Sequence, residues 1–411
     1  MELVKSMVIE MNNFKDDWKV EKVVAVPKEW TQVVLGNEVK KIVGGGTPSR
    51  ERQDFYHGSI PWVTVKDMNG SLYKSTAQEF ITEEAIRQSS ANLIEENNVI
   101  VATRIALGRA FINKTPIAIN QDLKAIYLND SIYPLFFLYW YLSKNSLIQS
   151  MGSGSTVKGI RLEQLKKLNI LLPPMREQKK IAKILSAADE QLEKTEQLIE
   201  KSKELKEGLV QLLFTKGINK AKFKKTEIGE IPYDWKTCFV EEIATVNTGN
   251  KDTQDKIIDG KFDFYVRSQK IEKINSYSFE GEAILTAGDG VGVGKVFHYI
   301  PEGKFDFHQR VYKISNFKEV LGKYFFYYFS KNFIKQARKF NAKTSVDSVR
   351  RDMITKMIIP LPPIHEQKEI AEILSSVDKQ IEAYEKEKEK QKKLKKALMQ
   401  QLLTGKIRVT V

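Results

Sequence analysis

Two stretches of the chain set apolar residues in steps of three and four, or their sums, over several dozen positions. The first carries Ile181, Leu185, Ala188, Leu192, Ile199, Leu209 and Leu213; the second carries Ile370, Leu374, Val377, Ile381, Tyr384, Leu398 and Leu402. Heptad-type spacing of this kind predicts two long helices, each with a coiled-coil seam. Pro173-Pro174 and Pro362-Pro363 head the two stretches. Proline stops a helix from continuing backwards yet suits its first turn, where the missing N–H has no partner to lose. Glu177 and Glu366 follow in that first turn, where the helix dipole favours a carboxylate. Both stripes turn polar midway, at Thr195 and Ser202 and at Lys388 and Gln391, so the seam is expected to be weakest at its centre. The run KEKEKQKKLKK at 386–396 resembles a nucleic-acid-binding tail, but inside a helix it reads as a solvated face.

The remainder mixes periods. Residues 61–68, 98–103, 264–271 and 282–287 are β-type runs and predict strands. Residues 133–142, YPLFFLYWYL, form the longest apolar run. It is too short for the roughly 20 residues that a membrane span needs, and predicts a buried core helix. An α+β globular region of about 150 residues in each half follows.

The two long stretches are also copies of one another. LPPMREQKKIAKILSAADEQLEK (172–194) matches LPPIHEQKEIAEILSSVDKQIEA (361–383), with Pro173 and Pro362 separated by 362 − 173 = 189 positions. The offset carries Leu205 onto Leu394, Leu209 onto Leu398, Leu213 onto Leu402 and, upstream, Arg161 onto Arg350. INQDLKAI (119–126) falls on FHQRVYKI (307–314) at 307 − 119 = 188, and the aromatic run 136–141 on 324–329. The halves open alike, VPKEW at 26–30 and IPYDW at 231–235. The reading is a tandem duplication. Globular region one spans 1–172 and its helix 173–219; globular region two spans 220–361 and its helix 362–411. The stretch 217–230 reads as a flexible linker.

Composition narrows the function. A chain of 411 residues, 42% hydrophobic and 10% aromatic, can bury real cores. A single cysteine, Cys238, excludes a disulfide framework and points to a reducing cytoplasm, and it reads as a small buried hydrophobe. The opening 20 residues mix acids with bases and lack the apolar core of a signal peptide. With 66 Lys+Arg against 52 Asp+Glu, the net charge of +14 suggests a polyanionic partner. The glycine-rich AGDGVGVGKV (287–296) fails as a phosphate loop. Asp289 stands where the first glycine belongs, and Val296 follows Lys295 in place of Ser or Thr. It reads as a turn between strands. The four histidines have no metal-ligand spacing, and neither a nuclease-like acidic cluster nor the Asn/Asp-Pro-Pro-aromatic motif of amino-methyltransferases is present. The expectation is a binding protein without catalytic, cofactor or metal residues.

These repeated residues resemble a known family, the specificity subunits of type I DNA restriction-modification systems. LPP-x-x-EQ-x-x-I-x-x-x-L heads a long helix twice (172–185 and 361–374). The paired P-x-[ED]-W openings and a [TS]V…[IV]R stretch before each Pro-Pro support the likeness, which covers about residues 26 to 407. It implies that each globular region is a target recognition domain and each helix a spacer, the two helices forming an antiparallel coiled coil. It implies further that the protein chooses the sequence of double-stranded DNA, while two methyltransferase subunits and the restriction subunits perform the chemistry. S-adenosylmethionine, ATP and magnesium would then belong to those partners.

A duplicated reader joined by helical rods suits a bipartite site, two short sequences separated by unread DNA. A rod of about 40 residues is ~60 Å long at 1.5 Å per residue, enough to set two major-groove readers about one helical turn, ~34–36 Å, apart. Candidate DNA contacts are Arg104, Arg109, Lys158 and Arg161 in the first domain and Arg267, Lys295, Arg310, Arg350 and Arg351 in the second. Each is equally what a solubilising surface charge looks like. Arg161 matches Arg350, and Gln121 matches Gln309, which favours a phosphate or structural role over base reading, because the two domains should read different sequences. Trp30 and Trp235 could stack on bases, yet beside prolines at the domain openings they read as core. The competing readings are a coiled-coil oligomerisation scaffold, a specificity subunit of a related type II-like system and a single-chain restriction enzyme. A scaffold has no need of two aromatic-rich domains with divergent polar loops.

Overall fold

The structure, a computed structural model, describes residues 18–21, 24–154, 158–340 and 348–409. The opening 17 residues and the repeated Thr156-Val157 and Ser345-Val346 lie outside them. Contacts divide the chain into two compact units, one of residues up to Thr195 together with Glu387 onward, the other Glu196–Lys386. Each unit therefore takes the beginning of one long helix and the end of the other.

In the first unit a five-stranded sheet runs in the order Val39–Gly44, Leu123–Leu128, Val99–Ala102, Ala110–Asn113, Tyr73–Lys74. A four-stranded sheet follows the order Glu79–Ile81, Ile60–Val63, Ile117–Ile119, Leu93–Ile94. The second unit repeats the plan. Thr245–Thr248, Val311–Ser315, Ala283–Ala287 and Phe297–Ile300 form one sheet; Ile271–Ile274, Phe262–Tyr265, Lys304–Phe307 and Phe279–Glu280 form the other. Even the one parallel pairing shared by the second sheets recurs, Ile117–Ile119 beside Ile60–Val63 and Lys304–Phe307 beside Phe262–Tyr265. The duplication read from the motifs thus extends through strand order and strand direction.

Two expected strands are shorter than their apolar runs. The strand expected at 61–68 ends at Val63, because Thr64 and Asp67 form a capping box over a 3-10 turn, Asp67 accepting from the Thr64 N–H at 2.8 Å. The run 264–271 is a hairpin instead of one strand, with Tyr265 opposite Ile271 and the polar residues 267–270 turning between them. The other two runs form strands at Val99–Ala102 and Ala283–Ala287. The expected linker 217–230 is also structured. After the first long helix ends, Gly217 takes φ +63, and Phe223–Thr226 pairs with Gly229–Pro232. At Gly217 an added Cβ would lie 2.7 Å from Glu366 Oε1 and 2.9 Å from the Trp235 ring, so the close approach also demands glycine.

The aromatic helix Pro134–Ser143 is buried from Leu135 to Tyr141, and Gly322–Lys339 buries Tyr324, Phe325, Tyr327, Tyr328, Phe329 and Phe333. Burial of each such side chain contributes about 1.5–3 kcal/mol. Trp30 and Trp235 are fully buried in their units' cores. Cys238 is half-buried on the edge strand Lys236–Phe239, where burial pushes its thiol up to about 11.

The long helices span Met175–Lys216 and Ile364–Leu402. Of the expected seam, Ile181, Leu185, Ile199, Leu213, Ile370, Leu374, Ile381, Leu398 and Leu402 are buried, while Leu192 and Leu209 are half-buried. Near the helix ends this seam merges with the domain cores. Ile181 and Leu185 join Leu398, Leu402 and Trp30 in one cluster, and Leu213 and Phe214 join Ile370, Leu374 and Trp235 in the other. The centre is polar as expected, with Thr195 and Ser202 buried and the Thr195 hydroxyl donating to Gln391 Oε1 at 3.1 Å. Within each unit the pairing is antiparallel. Asp189 meets Lys395 while Thr195 meets Gln391, and Lys203 meets Glu385 while Lys206 meets Asp378.

The Glu-Gln pair after each Pro-Pro has a mechanical role. Trp30 Nε1 donates to Glu177 at 3.1 Å and Trp235 Nε1 to Glu366 at 3.0 Å. Arg408 completes the first carboxylate's shell, and Lys220 with the Ile218 N–H completes the second. Gln178 accepts from the Tyr133 N–H and donates to the Ser131 and Pro173 carbonyls; Gln367 accepts from the Leu321 N–H and donates to the Glu319 and Pro362 carbonyls. The motif fastens each globular region to the head of its helix.

Candidate nucleic-acid interface

In the first unit three segments converge at one rim. They are the turn after strand Val99–Ala102, the short link between Ile117–Ile119 and Leu123–Leu128, and residues 158–161. Thr103 N–H donates to the Asp122 carbonyl at 2.8 Å, Ile105 N–H to Lys158 at 3.2 Å and Ile160 N–H to Thr103 at 2.9 Å. The second unit uses the corresponding bonds, Gly288 N–H to Arg310 at 2.7 Å and Val349 N–H to Gly288 at 2.7 Å. Isolated bridges pair Arg104 with Gly159 and Asp289 with Ser348. A glycine packs against the link in each unit. A Cβ on Gly45 would lie 1.8 Å from the Ile119 carbonyl oxygen, and one on Gly249 1.9 Å from that of Phe307.

This rim gathers some candidate cations and separates others. Arg104 and Lys158 come together, with Arg161 just beyond the bridge. Arg104 lies 3.4 Å from Asp122, whose carboxylate is held by an amide donated from Asn120 at 3.0 Å. In the second unit Arg267 and Arg310 share Asp289, at 3.0 and 3.7 Å. Arg350 is exposed beside Asp352 at 3.7 Å. Lys158, Arg161 and Lys295 are exposed. Two candidates are committed to the fold: Arg109 donates to the Met68 carbonyl at 2.7 Å and Arg351 to the Val246 carbonyl at 3.0 Å. Gln121 accepts from the Thr47 hydroxyl, whereas Gln309 donates to Asp252, so the matched glutamines tie the link to its neighbouring loop.

Sequence reasoning missed the carboxylates Asp122, Asp252 and Asp289 and also His308. His308 is buried, accepts from the Arg310 N–H at 2.8 Å, and lies 3.8 Å from Asp252. Burial, with Arg267 beside it, lowers its pKa and keeps the ring neutral. The signal was present in INQD over FHQR, where an aspartate column faces an arginine. Among the described residues no group of three or more His, Cys, Asp or Glu could hold a metal ion, and no helix is long and apolar enough to cross a membrane. The turn 287–296 folds around a 3-10 turn at Gly290–Gly292, with Val291 exposed.

A basic rim on a duplicated scaffold matches a family pattern. The family model described as type I restriction modification DNA specificity domain covers residues 27–204 and again 232–393. The chain belongs to this family. It is similar along nearly its whole length to the type I restriction enzyme MjaVIII specificity subunit of Methanocaldococcus jannaschii, at 29% identity over 98% of this chain and 99% of the relative. Over 39% of its length it is 36% identical to the EcoR124I/EcoR124II specificity subunit of Escherichia coli, covering 41% of that protein. The fold is also that of the type I restriction-modification S subunit from M. genitalium, with a TM-score of 0.62, 17% identity and coverage of 94% and 98%. The family's repeated motifs fall on the Glu-Gln fastening and the helix pairs, whereas the rim loops differ between the halves.

Proposed function

We propose that this specificity-family protein selects a bipartite site on double-stranded DNA, each unit reading one half, and positions separate methyltransferase and restriction subunits there without catalysing either reaction. The observation that carries the reading is the repetition of one rim on one scaffold with different side chains in each copy. Its cations supply the sequence-independent attraction to phosphate, and its divergent loops supply the choice of bases. S-adenosylmethionine, ATP and magnesium belong to the partner subunits in this reading, and the complex works in the cytoplasm.

The test is DNA binding as a function of salt. The isolated protein should bind duplex weakly, each phosphate contact steepening the slope of log K against log[salt] by about 0.9. Adding the methyltransferase subunit should enrich one bipartite sequence from a random duplex library. Salt-independent binding, or no enrichment with the partner present, would overturn the proposal.

A further inference from the structure

We propose that Arg104 and Arg310 are base-reading residues, one per half-site, each aimed by a carboxylate that occupies the other's structural position. The inference rests on the DNA-selecting role and deepens it.

Strand register fixes the equivalence. Ala102 pairs with Leu123, and Ala287 with Val311. Two positions further along the turn stand Arg104 and Asp289, and each of them bridges the segment before the next short helix. One position before the paired strand stand Asp122 and Arg310, each accepting through its carbonyl from the turn. Arg104 and Asp122 lie 3.4 Å apart; Asp289 and Arg310 lie 3.7 Å apart. The two domains thus place an arginine and an aspartate at the same two positions in reversed order, with Asp289 in the second also accepting from Arg267 at 3.0 Å.

Reversal moves the guanidinium from the turn to the link. In both units the arginine is the exposed member. The Arg104 side chain is 50% exposed against 11% for Asp122, and Arg310 64% against 25% for Asp289. Both separations exceed a hydrogen bond, and among the described residues neither guanidinium donates a hydrogen bond to the protein. Arg109, Arg267 and Arg351 do. Arg104 and Arg310 therefore retain their donor forks, oriented by a fixed anion, and a fork of that kind matches the O6 and N7 acceptors of guanine. A phosphate contact has no reason to move between domains, and Arg161 and Arg350, which stay in register, suit that role. A base contact must differ wherever the two half-sites differ.

The experiment is methylation mapping in cells whose native gene is replaced by variants of the full chain. Arg104→Gln should relax one base pair in one half-site, with discrimination there falling about 5- to 150-fold, the range for one bidentate contact. Arg310→Gln should do the same in the other half-site. The double variant Arg104→Asp/Asp122→Arg keeps an ion pair and should alter the first half-site alone. Unchanged motifs in all three variants, or a uniform loss of methylation at every site with unaltered thermal unfolding, would overturn the assignment. Thermal unfolding of the two single variants separates a misfolded chain from a misreading one. A wild-type motif that is not bipartite would instead defeat the underlying function.

Discussion

The two units share their strand order and differ in where they keep charge. In the first, Ala125 lies sealed in the sheet core. The equivalent place in the second is Lys313, with only 7% of the residue exposed and its ammonium 3.3 Å from the centre of the Phe279 ring. The second unit's adjoining core clusters Tyr265, Phe305 and Phe307, where the matching register positions of the first hold Val63, Ile117 and Ile119. Opposite these differences stands a constant frame. Tyr139, Asp189 and Lys395 in one unit repeat as Tyr327, Asp378 and Lys206 in the other, each tyrosine donating to its aspartate at 2.7 Å. A duplicated binding protein evidently tolerates change in the sheets and rim loops while the helix-fastening contacts stay paired. Those contacts cannot be altered singly, since losing one partner leaves a buried charge or donor unsatisfied.

Exchanging residues 26–172 for the corresponding domain of another specificity subunit gives the largest expected effect. One half-site should be replaced completely, the other retained. Methylation mapping decides it, and replacement of both half-sites would end the idea of independent readers.

Next come Glu177→Ala and Glu366→Ala. Each strands a buried tryptophan N–H and removes the buried partner of a cation, leaving Arg408 only Glu29 and Lys220 only Asp234. Each should cost about 2–4 kcal/mol in the unit concerned, from the unsatisfied indole N–H and the lost charge-assisted bonds. Urea unfolding should show Glu177→Ala lowering one transition and Glu366→Ala the other. Equal effects on a single transition would show that the units unfold as one.

A smaller effect is expected from Lys313→Met, which makes the second core resemble the first. Burial pulls the ammonium down to about 8 from its ordinary 10.5. The unfolded chain then holds more protons than the folded one between those values, so stability rises with pH across that window, and the penalty is complete below about pH 8. Removing the charge should add about 1–3 kcal/mol at pH 7 and flatten stability between pH 8 and 10.5. Unfolding curves at several pH values measure both, and a destabilised variant would mean that contact with the Phe279 face outweighs desolvation.

The smallest change concerns spacing. Four residues added to one long helix near Thr195 lengthen it by ~6 Å and approximately preserve the facing of the seam. Both half-sites should persist with the gap between them altered by one to two base pairs, at ~3.4 Å each. Full activity with an unchanged gap would show that the helices do not set it.

Pattern alone determined much of this protein. The duplication, the two long helices with their polar centres, the buried aromatic helices and the buried tryptophans follow from period, proline placement and repetition, because each is written in local or self-similar sequence. What tertiary structure decided is long-range pairing. Leu398 and Leu402 complete the core around Trp30, and Leu213 and Phe214 complete that around Trp235, so that each unit borrows the end of the helix belonging to the other repeat. Nothing in a linear stripe says which core an apolar residue will close. The rim was half legible for the same reason. Arg104 and Arg310 stood out as cations, but the carboxylates that orient them became visible only when strand register brought Asp122 and Asp289 alongside. An ion pair is a property of two positions, and only folding makes them neighbours.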